Sequence, residues 1–176
     1  EGIDFQRRFL ENTAISLIEA TRGCQDKPDS YSPRAALLWS SMMATSPMTT
    51  AGLGRVYHSL HVLEHGLSAL HEIAHGAGLA ALLTSWLTCH QEHYRTSISL
   101  WGEHVFGLTI DKKSSATIDA VRGFLASLEV PLSLGDLGLE EKDLGPVAAH
   151  AAAQLQVRRI PGLDEARAME ILKRAL

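Results

Sequence analysis

Residues 61–80 read HVLEHGLSALHEIAHGAGLA, and the fold is decided by how this stretch is read. It carries His61, His65, His71 and His75. Together with His58, His90 and His93, these make seven of the chain's nine histidines within a span of 36 residues. Histidine titrates near neutral pH and is a common metal ligand, and two histidines four residues apart share one helical face. Two such pairs occur, His61 with His65 and His71 with His75. Composition and period predict a helix over residues 56–71 and a second one from His75 toward Cys89. On one straight helix, His61 and His75 would lie roughly 21 Å apart at 1.5 Å per residue, far beyond a shared ion with bonds near ~2.1 Å. They meet only if the chain turns between them. The expected place for that turn is the stretch from Glu72 to Gly78, with its two glycines.

Working outward, Phe5, Phe9, Leu10, Ala14, Leu17, Ile18 and Ala20 form the stripe of an amphipathic helix, with Gly23 as its C-terminal cap. Ser32 followed by Pro33 predicts an N-cap with proline at the first helical position, opening a mostly apolar and central helix from Arg34 to Thr45. A Gly- and Thr-bearing stretch from Thr49 to Gly54 leads into the histidine segment. Downstream, helices are expected over Ile98–Phe106 and Ala116–Leu128, joined by the polar run Asp111 to Ser115. Pro131 stops the second of these, and a loop with two glycines follows from Leu132 to Leu139. Pro146 is expected in the first turn of an Ala-rich helix to about Leu155. The break at Ile160-Pro161-Gly162 precedes a last helix from Leu163. No period-2 run of β-branched residues predicts a strand. The expectation is therefore an all-α, multi-helix bundle of about eight helices around one core, a single domain over residues 1–176.

Composition narrows the function. Sixteen Lys and Arg against twenty Asp and Glu give a net charge of −4, with both signs scattered. No basic stripe is present to grip a polyphosphate backbone, so nucleic acid is not the expected partner. No apolar run approaches the ~18 residues that span a bilayer, so no membrane partner is expected either. Cys24 and Cys89 form neither a CxxC nor a zinc-finger spacing, which suits a reducing cytoplasm. The opening Glu1-Gly2-Ile3-Asp4 reads as a cut-out piece of a longer protein.

Three metal chemistries compete for the histidines. His71-Glu72-Ile73-Ala74-His75 satisfies H-E-x-x-H, the zincin signature in which both histidines bind zinc and the glutamate acts as general base. The extended form needs a third histidine where Ala81 stands, although Glu92 or Glu103 could supply a carboxylate. Against it, Gly76-Ala77-Gly78 is poor helix interior and more like a turn or a close-packed helix start, so the signature helix would have to end at its own second ligand. Glu72-x-x-His75 is also half of a di-iron pattern, but no second copy exists in the chain. The third is the pairing of His61 with His75 across a turn. A noncatalytic helical module is the remaining alternative. His58, His71, His90, His93 and His104 are expected at the surface or behind a site, Trp39, Trp86 and Trp101 in the core, and Cys89 as a packed thiol.

The run from His61 to Ala80 resembles the signature of the iron-containing (group III) alcohol dehydrogenases, H-x-x-x-H-x-L-[SG]-A-x-x-x-x-x-H-G-x-x-x-A, and within them the butanol dehydrogenase-like branch. The similarity extends to residues 31–39 (YSPRAALLW), to 124–131 (FLASLEVP) with Leu137-Gly138-Leu139, and to the closing stretch from Asp164 to Leu176. It thus covers essentially the whole chain, in order. Two local departures are Gly66, where close relatives often have Glu, and Ser85, where many have Pro.

The resemblance implies an all-helical C-terminal domain of an NAD(P)-linked alcohol dehydrogenase or aldehyde reductase. In that family a Rossmann-like N-terminal domain binds NAD(H) or NADP(H). The helical domain holds one divalent metal, Fe2+ or Zn2+, through an aspartate and three histidines. His61 and His75 match the last two of those ligands. His65 matches a further histidine beside nicotinamide and substrate, a proton-relay or positioning group. The other two ligands come from a D-x-x-x-H helix absent from this chain, as is a glycine-rich cofactor unit. The expected partners are a small-molecule alcohol or aldehyde and the missing cofactor domain. Apolar surface left by that domain's absence makes a homo-oligomer possible. Two neutral imidazoles alone would hold the metal weakly, and the isolated piece would be inactive.

Overall fold

The computed structural model describes residues 4–52, 56–109, 114–158, 160 and 164–176. Among them are eight α-helices, two short 3-10 turns and no strand. The helices are α1 (Asp4–Asp26), α2 (Tyr31–Ala44), α3 (Ser59–His71), α4 (His75–His90), α5 (Arg95–Phe106), α6 (Ser114–Ser127), α7 (Glu141–Arg158) and α8 (Glu165–Ala175). The all-α expectation and the helix number agree with this. None of the described helices is long and apolar enough to cross a membrane. The chain divides into two compact units. One comprises Glu1–Val56 with Glu103–Gly107, the other Tyr57–Gly102 with Leu108–Leu176.

The second unit holds the histidine segment. In it α3 packs on α4 and α7, α8 packs on α4 and α7, and α6 packs on α4. The core consists of Val62, Leu63 and Leu67 from α3, Ala81 and Leu82 from α4, Leu144, Val147, Ala148, Ala151 and Leu155 from α7, and Ile171 and Leu172 from α8. Leu63, Leu67, Leu82 and Leu144 are fully buried, each contributing about 1.5–3 kcal/mol of transfer free energy. The Leu132–Leu139 loop is tied in at its centre, where Leu134 N–H donates to the Ala175 carbonyl at the end of α8 (2.7 Å). Within this core α3 and α4 pack side by side.

In the first unit α1 packs on α2. The buried amide of Gln6 donates to the carbonyls of Met48 (2.9 Å) and Ala51 (2.7 Å), anchoring the turn after α2. Glu11, also buried, accepts two 3.0 Å bonds from Arg7, and its Oε1 lies 3.0 Å from His104 Nδ1.

Several boundaries differ from expectation for identifiable reasons. Gly23 does not cap α1, which runs on to Asp26. A Cβ at Gly23 would lie 2.9 Å from Pro33 Cβ, so the residue is small because α2 crosses there. Helix α2 starts at Tyr31 after Ser30, two residues before the expected Ser32 cap, and Pro33 falls in its first turn, where an N–H has no helical acceptor anyway. Nor is α2 central. It buries only Ser40 and exposes Leu38 (75%) and Trp39 (62%), because its apolar residues surround the helix instead of lining one face. The expectation of a core Trp39 fails for the same reason. Helix α7 begins at Glu141, ahead of Pro146, because Asp143 accepts from the Glu140 N–H (2.8 Å) and closes the first turn. Pro146 sits exposed inside the helix. The expected features at Glu1-Gly2-Ile3, Gly54, Asp111-Lys112-Lys113, Pro161-Gly162 and Leu163 lie outside the described residues.

Candidate metal centre

Helix α3 ends at His71 and α4 begins at His75, so three residues reverse the chain. The device is Glu72, which adopts the left-handed conformation (φ 53°, ψ 27°) as the cap of α3, its N–H bonded to the Ser68 carbonyl at 3.2 Å. The glycines expected to make the turn lie just beyond it, inside the first turn of α4. The Ser68 hydroxyl lies 2.5 Å from Glu64 Oε1 and 3.0 Å from the Ile73 carbonyl, two acceptors that share its one proton. The turn is thereby tied back to the helix it leaves.

This reversal sets His75 beside His61. Their rings stack at a centroid distance of 5.1 Å and an interplanar angle of 16°, with His61 Nδ1 3.2 Å from His75 Nε2. His65, one turn along α3, lies 5.5 Å from the His75 ring and 6.5 Å from the His61 ring. His58 meets His61 edge-on at 5.7 Å. Burial, and then the neighbouring rings of His75, His58 and His65, push His61 below the ordinary histidine value. The shift favours the neutral ring, the form in which a lone pair is available to a cation.

Behind His75 stands Glu64, 0% exposed, its Oε2 in direct hydrogen-bond contact with His75 Nδ1. At roughly 100° per residue, Glu64 falls on α3 between the direction of Leu67, which faces the core, and that of His61. Opposite it in α4 is Gly78. A Cβ there would lie 2.8 Å from both Cγ and Oε1 of Glu64. Sequence reading missed Glu64. The available signal was a carboxylate on the core edge of a helix, facing a glycine in the next helix. Glu64, His65 and His75 each offer a ligand atom within 4.8 Å of one another. Glu64 and the Nδ1 of His75, however, touch as a hydrogen-bonded pair, with no room for an ion between them.

The zincin reading fails on geometry. H-E-x-x-H requires both histidines on one helix face, whereas His71 closes α3, His75 opens α4 and Glu72 lies exposed in the turn. His71 Nε2 is buried and has no hydrogen-bond partner among the described residues. The di-iron half-pattern of Glu72 and His75 is split by the same turn.

The other histidines go elsewhere. His90 stacks on Trp86 (4.4 Å) with Nδ1 2.8 Å from the Trp86 carbonyl, His93 packs edge-on to Tyr94, and His104 lies against Glu11. Trp86 and Trp101 are half-buried and line an apolar cavity of about 320 Å3 with Leu87, Tyr94, Ser97, Ile98 and Thr117; no histidine lines it. Cys89 is half-buried, and burial followed by Glu170 raises its thiol.

The profile of the C-terminal region of Fe-containing alcohol dehydrogenases matches residues 4–176. The chain belongs to the iron-containing alcohol dehydrogenase family. It is 31% identical over 178 residues to NADH-dependent butanol dehydrogenase B of Clostridium acetobutylicum, covering 96% of this chain and 44% of that protein. It is 30% identical over 138 residues to the NADPH-dependent aldehyde reductase YqhD of Escherichia coli, covering 77% of this chain and 35% of that protein. Among solved structures, NADH-dependent butanol dehydrogenase A from Thermotoga maritima superposes with a TM-score of 0.92 at 27% identity, covering 98% of this chain and 46% of that one. This member of the iron-containing family thus spans less than half the length of these relatives. Its helices correspond to their C-terminal helical domain.

Proposed function

We propose that residues 1–176 act as one helical metal-binding domain of an NAD(P)-linked alcohol dehydrogenase or aldehyde reductase. In this reading His61 and His75 contribute to a single divalent site, of iron or zinc. The observation that carries it is the 3.2 Å separation of His61 Nδ1 and His75 Nε2, from successive helices. Two ligand atoms with bonds of ~2.1 Å to one ion stand roughly 3.0–3.4 Å apart at octahedral to tetrahedral angles, so the pair fits a shared cation. The downward shift of His61, which favours the neutral ring, fits it as well. When bound, such an ion polarises an alcohol or aldehyde oxygen, while a nicotinamide carries the hydride.

The chain's own residues hold the ion on one face of α3 and the start of α4. In this reading His65, exposed beside both rings, carries a proton between substrate oxygen and solvent. The remaining two ligands would come from a D-x-x-x-H helix of the helical domain and the nicotinamide site from a Rossmann-like domain, both outside the residues of this chain, in line with relatives more than twice as long. The free thiols of Cys24 and Cys89 suit a cytoplasmic setting. Exposed Tyr31, Leu38 and Trp39 on α2 suit burial against another domain or a second copy.

The test uses the complete gene product that contains this chain, assayed for NADH- and NADPH-dependent reduction of a simple alkyl aldehyde such as butanal, with metal content measured in parallel. His61→Ala and His75→Ala are expected to lose bound metal and at least about 100-fold in turnover. His71→Ala keeps both within about threefold of wild type. His65→Ala keeps the metal and loses rate, by about 100-fold for a proton-transfer role. Wild-type metal content and rate in both His61→Ala and His75→Ala would overturn the assignment.

A further inference from the structure

Glu64 has no role in the function proposed for the histidines, yet it is a charged-type side chain with no solvent exposure. A carboxylate with no solvent exposure loses several kcal/mol of hydration unless its oxygens are satisfied. Both are satisfied here. Oε1 accepts from the Ser68 hydroxyl at 2.5 Å and Oε2 bonds to His75 Nδ1. Where the Glu64 oxygen accepts in this contact, Nδ1 is the donor and carries the proton. The consequence is a fixed tautomer. With Nδ1 protonated, His75 Nε2 presents a bare lone pair, and this is the atom that lies 3.2 Å from His61.

The surrounding backbone is shaped around this carboxylate. Gly78 in α4 faces Glu64, and any Cβ there would press on its Cγ and Oε1 at 2.8 Å. Ser68 also contacts the carbonyl of Ile73 in the α3–α4 turn, so the same network holds both the acceptor and the turn that delivers His75.

We infer that Glu64 is a positioning residue for metal binding. It orients His75, holds it in the Nδ1–H tautomer and raises the basicity of Nε2, while Gly78 provides the clearance that lets the carboxylate reach the ring. This rests on the proposal that His61 and His75 share a cation. Carboxylate partners of metal-bound histidines change metal affinity by about 10- to 100-fold when removed.

The experiment is a cobalt(II) titration of the complete gene product, freed of metal, followed by the visible d–d bands of the bound ion. Unfolding of the metal-free protein is measured alongside. Glu64→Ala is expected to weaken cobalt binding by about 10- to 100-fold. Glu64→Gln, isosteric and still able to accept from Nδ1–H through its amide oxygen, falls in between and shifts the d–d envelope. Gly78→Ala leaves Glu64 chemically intact but displaces it, and weakens binding as well. Should Glu64→Ala fail to fold, the other two variants carry the test.

If Glu64→Gln and Gly78→Ala bind cobalt with wild-type affinity and spectrum while His61→Ala and His75→Ala lose it, the metal site stands and the role of Glu64 is overturned. That role is equally overturned if the Glu64 variants lower only the stability of the metal-free protein. If His61→Ala and His75→Ala bind as wild type does, the shared cation is refuted and the positioning role of Glu64 falls with it.

Discussion

Replacing glycine by alanine at two helical positions of the second unit should shift stability in opposite directions, and the structure gives the reason. Gly102 in α5 faces Thr117 of α6. An added Cβ would lie 2.0 Å from Thr117 Oγ1, 2.9 Å from its Cβ and 3.0 Å from its Cγ2. Rotating the threonine moves Oγ1 but not Cβ, and Thr117 is only 2% exposed and β-branched, so α5 and α6 must separate. Overpacking of this kind costs about 1–3 kcal/mol, against which alanine regains about 0.5–1 kcal/mol of helix propensity over glycine. The net expectation for Gly102→Ala is a loss of about 1–2 kcal/mol. Gly123 in α6 has nothing within 4 Å of a built Cβ, so Gly123→Ala gains the propensity without the clash, about 0.5–1 kcal/mol. Urea unfolding of the two variants and the parent measures both. Adding Thr117→Ala to Gly102→Ala removes two of the three close contacts, and its cost should be smaller than the sum of the single costs. Equal stabilisation by Gly102→Ala and Gly123→Ala would refute the close α5–α6 approach.

Two further predictions concern the two units separately. Leu63, 0% exposed at the centre of the α3–α4–α7–α8 core, should cost about 2–5 kcal/mol on truncation to alanine, read by urea unfolding, because the surrounding helices close only partly on the void. In the first unit, burial raises the Glu11 carboxyl, but hydrogen bonds from His104 and Arg7 outweigh it and leave the group below its ordinary value of 4.5. A depressed carboxylate contributes stability above 4.5 that is lost as pH falls through the folded-state value. Glu11→Gln should therefore destabilise at neutral pH, by about 1–2 kcal/mol with Arg7 partly solvated, and approach the parent in acid, as thermal melts across pH would show.

The meeting of His61 and His75 was legible in the sequence as a condition, because fourteen residues on one straight helix would hold the rings apart and only a turn between them brings them together. The stretch that holds the turn, Glu72 to Gly78, was legible too, but not the residue that makes it. Glycine is the usual left-handed residue, so Gly76 and Gly78 drew the expectation, whereas Glu72 takes that conformation, held by Ser68. Gly23 was read as a cap, yet it is small because Pro33 of α2 crosses there, and Gly78, read as part of a turn or a close-packed helix start, makes room for Glu64. That cause is three-dimensional and has no trace in local periodicity. Glu64 escaped for the same reason, since its partner His75 is eleven residues away around a turn. For α2, composition identified a helix but not its packing face, because apolar residues on all sides carry no direction.

Zinc K-edge X-ray absorption on the zinc-loaded complete gene product tests the convergence of His61 and His75 most directly. The expected result is that the number of imidazole ligands falls by one in His61→Ala and by one in His75→Ala, and is unchanged in His71→Ala. An imidazole shell unaltered by either of the first two substitutions, or diminished by the third, would contradict a site built from α3 and the first residue of α4.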